Sequence, residues 1–309
     1  MAIKGKSVIV TGGAGFIGSN LVDALARDNK VTVLDNLHTG SEDNLAQAKA
    51  TGNVVFVKDD AKSIQKQGID ADYVFHLGIY SASPMYRDNP SLMAEVVQGM
   101  TSVLEYAKAN GSKVVFASTS SIYNGITPPH KEDAIPKVTD YYTEARIAAE
   151  RISELYSKLN GLDVSAMRFF SVYGYHEKNK GKYANLASQF LWAMKSNEQP
   201  VIYGDGTQKR DFVFATDVAN ALMLAAEKNH SFGVYNVGTG RNYDLNALIG
   251  KINSLLGTSI GPKYIEMPVK NYVMETLAST EKAEKNIGFR AGVSLDEGLS
   301  RIAEYYGQT

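Results

Sequence analysis

A chain of 309 residues can bury a sizeable core in one large domain or two intimately joined ones. Its 32 Lys and Arg against 33 Asp and Glu leave a formal net charge of −1, which removes the electrostatic case for a nucleic-acid partner. The lack of cysteine excludes disulfides, thiolate metal sites and cysteine nucleophiles; no apolar run reaches the roughly 18 residues of a membrane helix, and a strand pattern begins too early to leave room for a signal peptide, so a soluble, cytoplasmic, metal-free protein is expected.

Ser7 to Thr11 is a short β-branched run, the pattern of a fully buried strand. Gly12, Gly15 and Gly18 follow at G-x-x-G-x-x-G spacing, and a helix opens behind them with Ile17, Leu21 and Leu25 on one face, stopping near Asp28. Val31 to Leu34 is a second strand with Asp35 at its tip. Glycines let the backbone turn tightly and approach a pyrophosphate. The helix start offers free N–H groups and a positive dipole end. An acid after the second strand accepts hydrogen bonds from both ribose hydroxyls of an adenosine and repels a 2′-phosphate. The order strand, glycines, helix, strand, acid therefore predicts bound NAD rather than NADP, held around Gly12, Gly15, Phe16, Ile17, Gly18, Asp35 and Asn36.

Val54–Lys58 reads as a third strand, followed by Asp60 and Ala61, which are expected near the adenine. Asp72–Leu77 is the fourth, and places Leu77 and Gly78 beneath the ribose. A long amphipathic helix over Ser91–Ala109, a strand over Lys113–Ala117 running into Ser118-Thr119-Ser120-Ser121, a second long helix over Tyr141–Leu159 and a strand over Val164–Phe169 complete the first half. Such alternation predicts an α/β fold, a doubly wound parallel sheet of the Rossmann kind with ligands at the carboxyl ends of the strands. Beyond residue 170 the rhythm loosens. Tyr175–Tyr183 is a polar, basic loop, 184–197 a helix, Pro200–Gly206 a short strand and turn, Asp217–Lys228 a helix, Val234–Val237 a strand, Leu245–Leu256 a helix and 276–309 helical pieces. The expected division is 1–168 with parts of 210–240 for the cofactor, and a smaller α/β region, 169–209 with 241–309, for the substrate.

Several stretches together resemble the extended short-chain dehydrogenase/reductase family, in its nucleotide-sugar 4-epimerase branch. VTGGAGFIGSNLVDAL at 10–25 is similar to the family's cofactor motif, HLG at 76–78 to its H-L-A, and STSSIYN at 118–124 to its S-S-x-x-V-Y-G. Tyr142 to Arg146 stands where its Y-x-x-x-K lies, followed by Ala148-Ala149-Glu150. RFFSVYG at 168–174, YGDGTQKRDFVFATDVANA at 203–221 and VYNVGTG at 234–240 extend the likeness over nearly the whole chain.

The resemblance implies a reversible dehydrogenation: Tyr142 as phenolate base takes the proton of the sugar 4-OH while C4 gives up hydride to tightly held NAD, the keto sugar turns over, and hydride returns to the other face. A nearby cation favours a phenolate, since a free phenol is mostly neutral at pH 7. The family pattern puts Thr119 on the sugar O4, where a hydroxyl can both donate and accept. Arg146 stands in place of the family lysine against the nicotinamide ribose; it keeps the charge but is bulkier, planar and unable to relay a proton. Ser120, Ser171, Asn185, Tyr203 and Arg210 are implied substrate contacts, Arg210 as a bidentate diphosphate partner. Ser171 replaces the family's asparagine, Val96 another near the cofactor, and Val269-Lys270-Asn271 its arginine-glycine-aspartate, with Lys270 standing in for a diphosphate arginine.

Among related reactions, the 4,6-dehydratases carry Asp-Glu directly after the catalytic threonine and the UDP-glucuronate decarboxylases a glutamate two residues before the tyrosine of the Y-G segment; this chain has Ser120 and Ser121. The expected activity is therefore NAD-dependent 4-epimerisation of UDP-glucose and UDP-galactose or their N-acetyl forms. The alternatives are another nucleotide-sugar enzyme of the group or a non-catalytic NAD-binding protein. The helices at 91–109 and 141–159 resemble the pair that forms a four-helix bundle across the family's dimer axis, so a homodimer is expected. Tyr141 is expected to pack on the sheet, leaving Tyr142 for chemistry.

Overall fold

The computed structural model describes residues 3–267 and 272–307. In chain order the elements are β1 (Ser7–Thr11), α1 (Phe16–Leu25), β2 (Lys30–Leu34), the short α2 (Ala46–Lys49), β3 (Val54–Val57), β4 (Tyr73–His76), α3 (Ser83–Asp88), α4 (Leu92–Asn110) and β5 (Lys113–Thr119). Next come α5 (Tyr141–Asn160), β6 (Val164–Phe169), β7 (Ser171–Tyr173), α6 (Leu186–Lys195), β8 (Val201–Tyr203), β9 (Lys209–Arg210), β10 (Phe212–Phe214), α7 (Ala215–Lys228) and β11 (Phe232–Val237). The remainder is β12 (Tyr243–Asp244), α8 (Leu245–Leu256), β13 (Lys263–Ile265), α9 (Glu281–Ile287) and α10 (Leu295–Tyr305).

Seven strands form one parallel sheet in the order β11-β6-β5-β4-β1-β2-β3. Period-2 alternation divides its two faces. Val8 and Val10 join the core under α1, α7 and α9, with Leu21, Leu222 and Ile287, whereas Ile9 joins the core under α4 and α5, with Met100, Leu104 and Ala149. The order reverses at β1, which has β2 on one side and β4 on the other, and a crevice opens at that reversal outside the carboxyl ends of the strands. A third core, with Phe190, Leu191, Phe214, Leu248 and Leu299, joins α6, α8 and α10 to the small strands.

The helices that shape the crevice have clear start and stop signals. Asp140 caps α5 by accepting from the Thr143 N–H at 2.8 Å, and Gly161 ends it in a left-handed conformation. Two features escaped the periodicity reading. Residues 79–90 hold α3, with Pro84 in its first turn. The polar stretch 178–183 coils into 3₁₀ turns that break at Gly181. One expectation is corrected: Tyr141 is 47% exposed, and it is Tyr142 whose ring packs beside the core, edge-on to Tyr86 at 5.4 Å. At the first turn of α5 the inward direction falls on the second tyrosine.

Candidate active site

The glycine loop begins where β1 ends. Gly12 has φ +69°, and a Cβ on it would lie 2.5 Å from the Gly78 nitrogen; a Cβ on Gly18 would lie 2.1 Å from the Gly12 carbonyl oxygen. Loop, helix and the turn after β4 therefore meet backbone to backbone, leaving no room for side chains. α1 starts at Phe16 with no side-chain cap and no acid in its first turn, so its leading N–H groups remain for an anion. Asp35 is buried at the end of β2, and its carboxylate also braces the loop, accepting from the Ala14 N–H at 2.9 Å and the Leu37 N–H at 2.8 Å. Burial pushes its pKa above the ordinary carboxylate value, against these backbone bonds. Asn36 donates to Asp60 at 3.3 Å, joining two segments expected around the adenosine.

These residues line one edge of a single cleft of about 1390 Å³, with Ala61, Leu77 and Gly78 beside them. Thr119, Ser120, Tyr142 and Arg146 line its middle, and Ser171, Asn185, Tyr203 and Arg210 its far side. Of the residues singled out in the sequence, Val269, Lys270 and Asn271 lie outside the described residues. Val96 is buried in the core below the cleft.

Thr119 is the last residue of β5. Its hydroxyl oxygen accepts from the Ser121 N–H at 3.1 Å, which leaves its own proton free to donate into the cleft. The Tyr142 ring is held between the Tyr86 edge and the Arg146 guanidinium, 5.1 Å from its centroid, and its hydroxyl has no partner among the described residues. Arg146 is 2% exposed and donates through Nη2 to the Tyr80 carbonyl at 2.7 Å; its Nε and Nη1 are buried with no partner among the described residues. His76 is also fully buried, bonded through Nδ1 to the Thr11 hydroxyl at 2.7 Å. Burial, assisted by the charge of Arg146, lowers the His76 pKa to about 3, so it is a neutral ring beneath the cleft.

On the far side, Asn185 is the N-cap of α6, its Oδ1 accepting from the Ala187 N–H at 3.0 Å. Arg210 lies over the Tyr272 ring at 5.2 Å and donates to the Lys209 carbonyl at 2.8 Å. Burial depresses its pKa, and it has no ion pair among the described residues. The cleft also gathers residues the sequence did not single out: Tyr80, Arg87, Lys180, Lys182 and Tyr272. For Lys180 and Lys182 a signal existed in the basic run YHEKNKGKY; Arg87 lies on the helix that periodicity missed.

Behind Thr119 sits a closed ion pair. Arg168 on β6 bonds Glu150 on α5 twice, Nε to Oε1 at 2.9 Å and Nη2 to Oε2 at 2.7 Å, and its Nη1 donates to the Tyr123 hydroxyl at 2.8 Å. Ser118 donates to the same carboxylate. Glu150 and Arg168 thus fix the end of β5.

The chain contains a side-chain-free cradle at a helix N-terminus, an acid at the next strand tip and buried unpaired guanidinium donors. They suit a dinucleotide, and the same cleft continues into a compartment lined by hydroxyls and cations. This is an α/β nucleotide-dependent enzyme site. The family profile described as "NAD dependent epimerase/dehydratase family" matches residues 8–238. The chain belongs to the NAD-dependent epimerase/dehydratase family, and its cofactor is NAD. It is 32% identical over 305 residues to a putative UDP-glucose 4-epimerase of Methanocaldococcus jannaschii, covering 96% of this chain and 97% of that one. It is 28% identical to a UDP-N-acetyl-alpha-D-glucosaminuronate decarboxylase of Bacillus cytotoxicus, covering 97% of this chain and 98% of that one. Among solved structures it resembles the UDP-N-acetylglucosamine 4-epimerase of Methanobrevibacter ruminantium, in complex with UDP-N-acetylmuramic acid, at a TM-score of 0.93 and 32% identity, covering 99% of this chain and all of that one. The relatives therefore include both epimerases and decarboxylases of UDP-sugars.

Proposed function

We propose that the protein is a UDP-sugar 4-epimerase. The observation that carries this reading is that Thr119 and Tyr142 share one cleft with Arg146, while the positions after Thr119 are the hydroxyls of Ser120 and Ser121 and not the carboxylates of a dehydratase or decarboxylase. Bound NAD supplies the hydride acceptor and donor. Tyr142 takes the proton from the 4-OH and gives it back after the sugar has turned. Thr119 donates to the 4-oxygen throughout. Arg146 offers the cofactor ribose its Nε and Nη1, which have no partner among the described residues. Arg210 meets the substrate diphosphate, and Tyr203 stands at the nucleobase. Residues 1–168 with parts of 210–240 hold the cofactor in this reading, and 169–209 with 241–309 the nucleotide sugar. A homodimer through the outer face of α4 and α5 is supported by the exposed Leu155 and Leu159.

One observation favours an acidic sugar within this reading. Arg87 lines the cleft one helical turn beyond Ser83 and has no hydrogen bond or ion pair among the described residues. Asp140, which lines the same cleft, is engaged by Ser83 at 2.7 Å and the Thr143 N–H at 2.8 Å. A free guanidinium there suits a carboxylate on the hexose. The test is incubation of purified protein with UDP-glucose, UDP-N-acetylglucosamine and UDP-glucuronate, followed by product separation. A C4 epimer with no net NADH is expected, fastest on the acidic sugar. A dehydrated or decarboxylated product would replace the epimerase reading, and equal rates on all three sugars would remove the role of Arg87.

A further inference from the structure

We propose that residues 174–183 form a strap tied across helix α1, and that Lys180 on this strap is a cofactor-binding residue, a counter-charge for the pyrophosphate of NAD that slows its release between turnovers. The ties are specific. Asn20 on α1 donates to the Tyr175 carbonyl at 3.0 Å while also bonding the Phe16 carbonyl at 2.8 Å. Ser19 Oγ donates to the Phe16 carbonyl at 3.1 Å, which leaves His176 Nδ1 as the donor in the 2.8 Å bond between them. His176 holds a left-handed backbone, φ +65°, that a non-glycine residue keeps only when its surroundings fix it.

The strap is also held from behind. The Tyr306 hydroxyl accepts from the Glu177 N–H at 2.9 Å and donates to the Gly174 carbonyl at 3.0 Å. The fully buried Glu177 carboxylate takes the Asn185 N–H and the Ser188 hydroxyl, both at 2.6 Å. The segment is thus clamped between the cofactor helix and the start of α6.

At its crest, Lys178 and Asn179 are exposed but Lys180 is turned inward. Its ammonium lies 5.4 Å from the centroid of the Phe16 ring, and Phe16 is the first residue of the uncapped helix. Lys180 has no ion pair among the described residues, although its charge is felt by Glu177. A cation held beside the first residue of a helix whose N–H groups await an anion adds charge where the dinucleotide is most negative. Two diphosphates could use that charge, the cofactor's and the nucleotide sugar's. The Phe16 contact favours the cofactor's, because Phe16 belongs to the glycine cradle.

The experiment is stopped-flow release of NADH, followed by its fluorescence, from purified Lys180→Met, Lys180→Arg, Lys178→Met, Ser19→Ala and wild-type protein, together with KM for the nucleotide sugar. Lys180→Met is expected to release NADH about tenfold faster or more, the size of one charge-assisted contact, with KM for the sugar unchanged. Ser19→Ala, which cuts the tie and leaves the cation, is expected to shift release in the same direction by less. Lys180→Arg restores slow release, and Lys178→Met, at an exposed position outside the cleft lining, leaves it at the wild-type value. Unchanged release in Lys180→Met overturns the proposal; if KM for the sugar then rises, the charge serves the other diphosphate. Release depends on NAD alone, so this result stands or falls apart from which sugar is epimerised.

Discussion

Arg146 and Arg168 are both buried, at 2% and 5% exposure, and both lie over a tyrosine ring at 5.1 Å. Their surroundings differ in one respect. Arg168 meets a carboxylate head-on, with Glu150 taking two of its nitrogens and a phenol the third. Arg146 meets one backbone carbonyl and keeps two nitrogens without a partner among the described residues. Removing a cation from water is costly unless it is paired. A fold that buries one arginine with all its partners and another without them has used the first as scaffold and kept the second for a ligand. Both belong to stretches quoted for the family likeness, yet nothing in their sequence context separates the two roles.

The sharpest separation is expected at Tyr142. Its hydroxyl supports nothing else among the described residues, so Tyr142→Phe is expected to keep its melting temperature and its NAD while kcat falls about 10³-fold, the range of a lost general base. Near-full activity in a folded Tyr142→Phe protein would end the mechanism.

Glu150 tests the scaffold side. Glu150→Ala strands the Arg168 guanidinium in the core and is expected to cost about 3–5 kcal/mol of stability, read from urea midpoints. Arg146→Ala, equally buried, has no acidic partner to strand among the described residues and is expected to cost far less. Equal losses would erase the distinction between the two arginines.

Arg146 tests the ligand side. Arg146→Lys restores the residue usual in the resembled motif and is expected to stay within about tenfold of wild-type kcat, about 1.4 kcal/mol. Arg146→Ala removes the two guanidinium nitrogens that have no partner among the described residues, and is expected to weaken NADH binding about tenfold or more, read by fluorescence titration. Unchanged NADH affinity in Arg146→Ala would remove the ligand role of this arginine.

What could be read in advance followed sequence distance. The glycine cradle, Asp35 and the alternation behind the seven-stranded sheet are local patterns, and the structure has them within a residue or two of the expected bounds. β5 runs two residues further than expected, which puts Thr119 on the strand and not after it. The strap was legible only as a basic loop, because its partners Ser19, Asn20 and Tyr306 lie 157, 155 and 129 residues from theirs. α3 was missed because Ser83–Asp88 is six residues long, too short to show a helical period. Tyr141 and Tyr142 could not be told apart by composition; the capping of α5 at Asp140 sets which one turns inward.

The smallest expected effect lies under the strap, at Asp23. Its Oδ1 is buried without a partner among the described residues, and its Oδ2 is 3.9 Å from His176 Nδ1. Burial raises its pKa to about 6, against a backbone bond from Ala48 and the charge of Arg27. Burial lowers the pKa of His176, which works against a compensating charge on that ring. A carboxyl with a raised pKa binds its proton more tightly folded than unfolded. Its contribution therefore destabilises above pH 6, shrinks as pH falls through 6, and vanishes near the unfolded value of about 4. Asp23→Asn is expected to gain about 1 kcal/mol at pH 8, a fraction of the two-unit shift at about 1.4 kcal/mol per unit because the site is partly hydrated, and to match wild type below about pH 4.5. Urea midpoints of both proteins at pH 8, 7, 6 and 5 measure it. A destabilised Asp23→Asn at pH 8 would mean that the carboxylate is held by a protonated His176, and that the strap is fastened by charge and not by the neutral bond to Ser19.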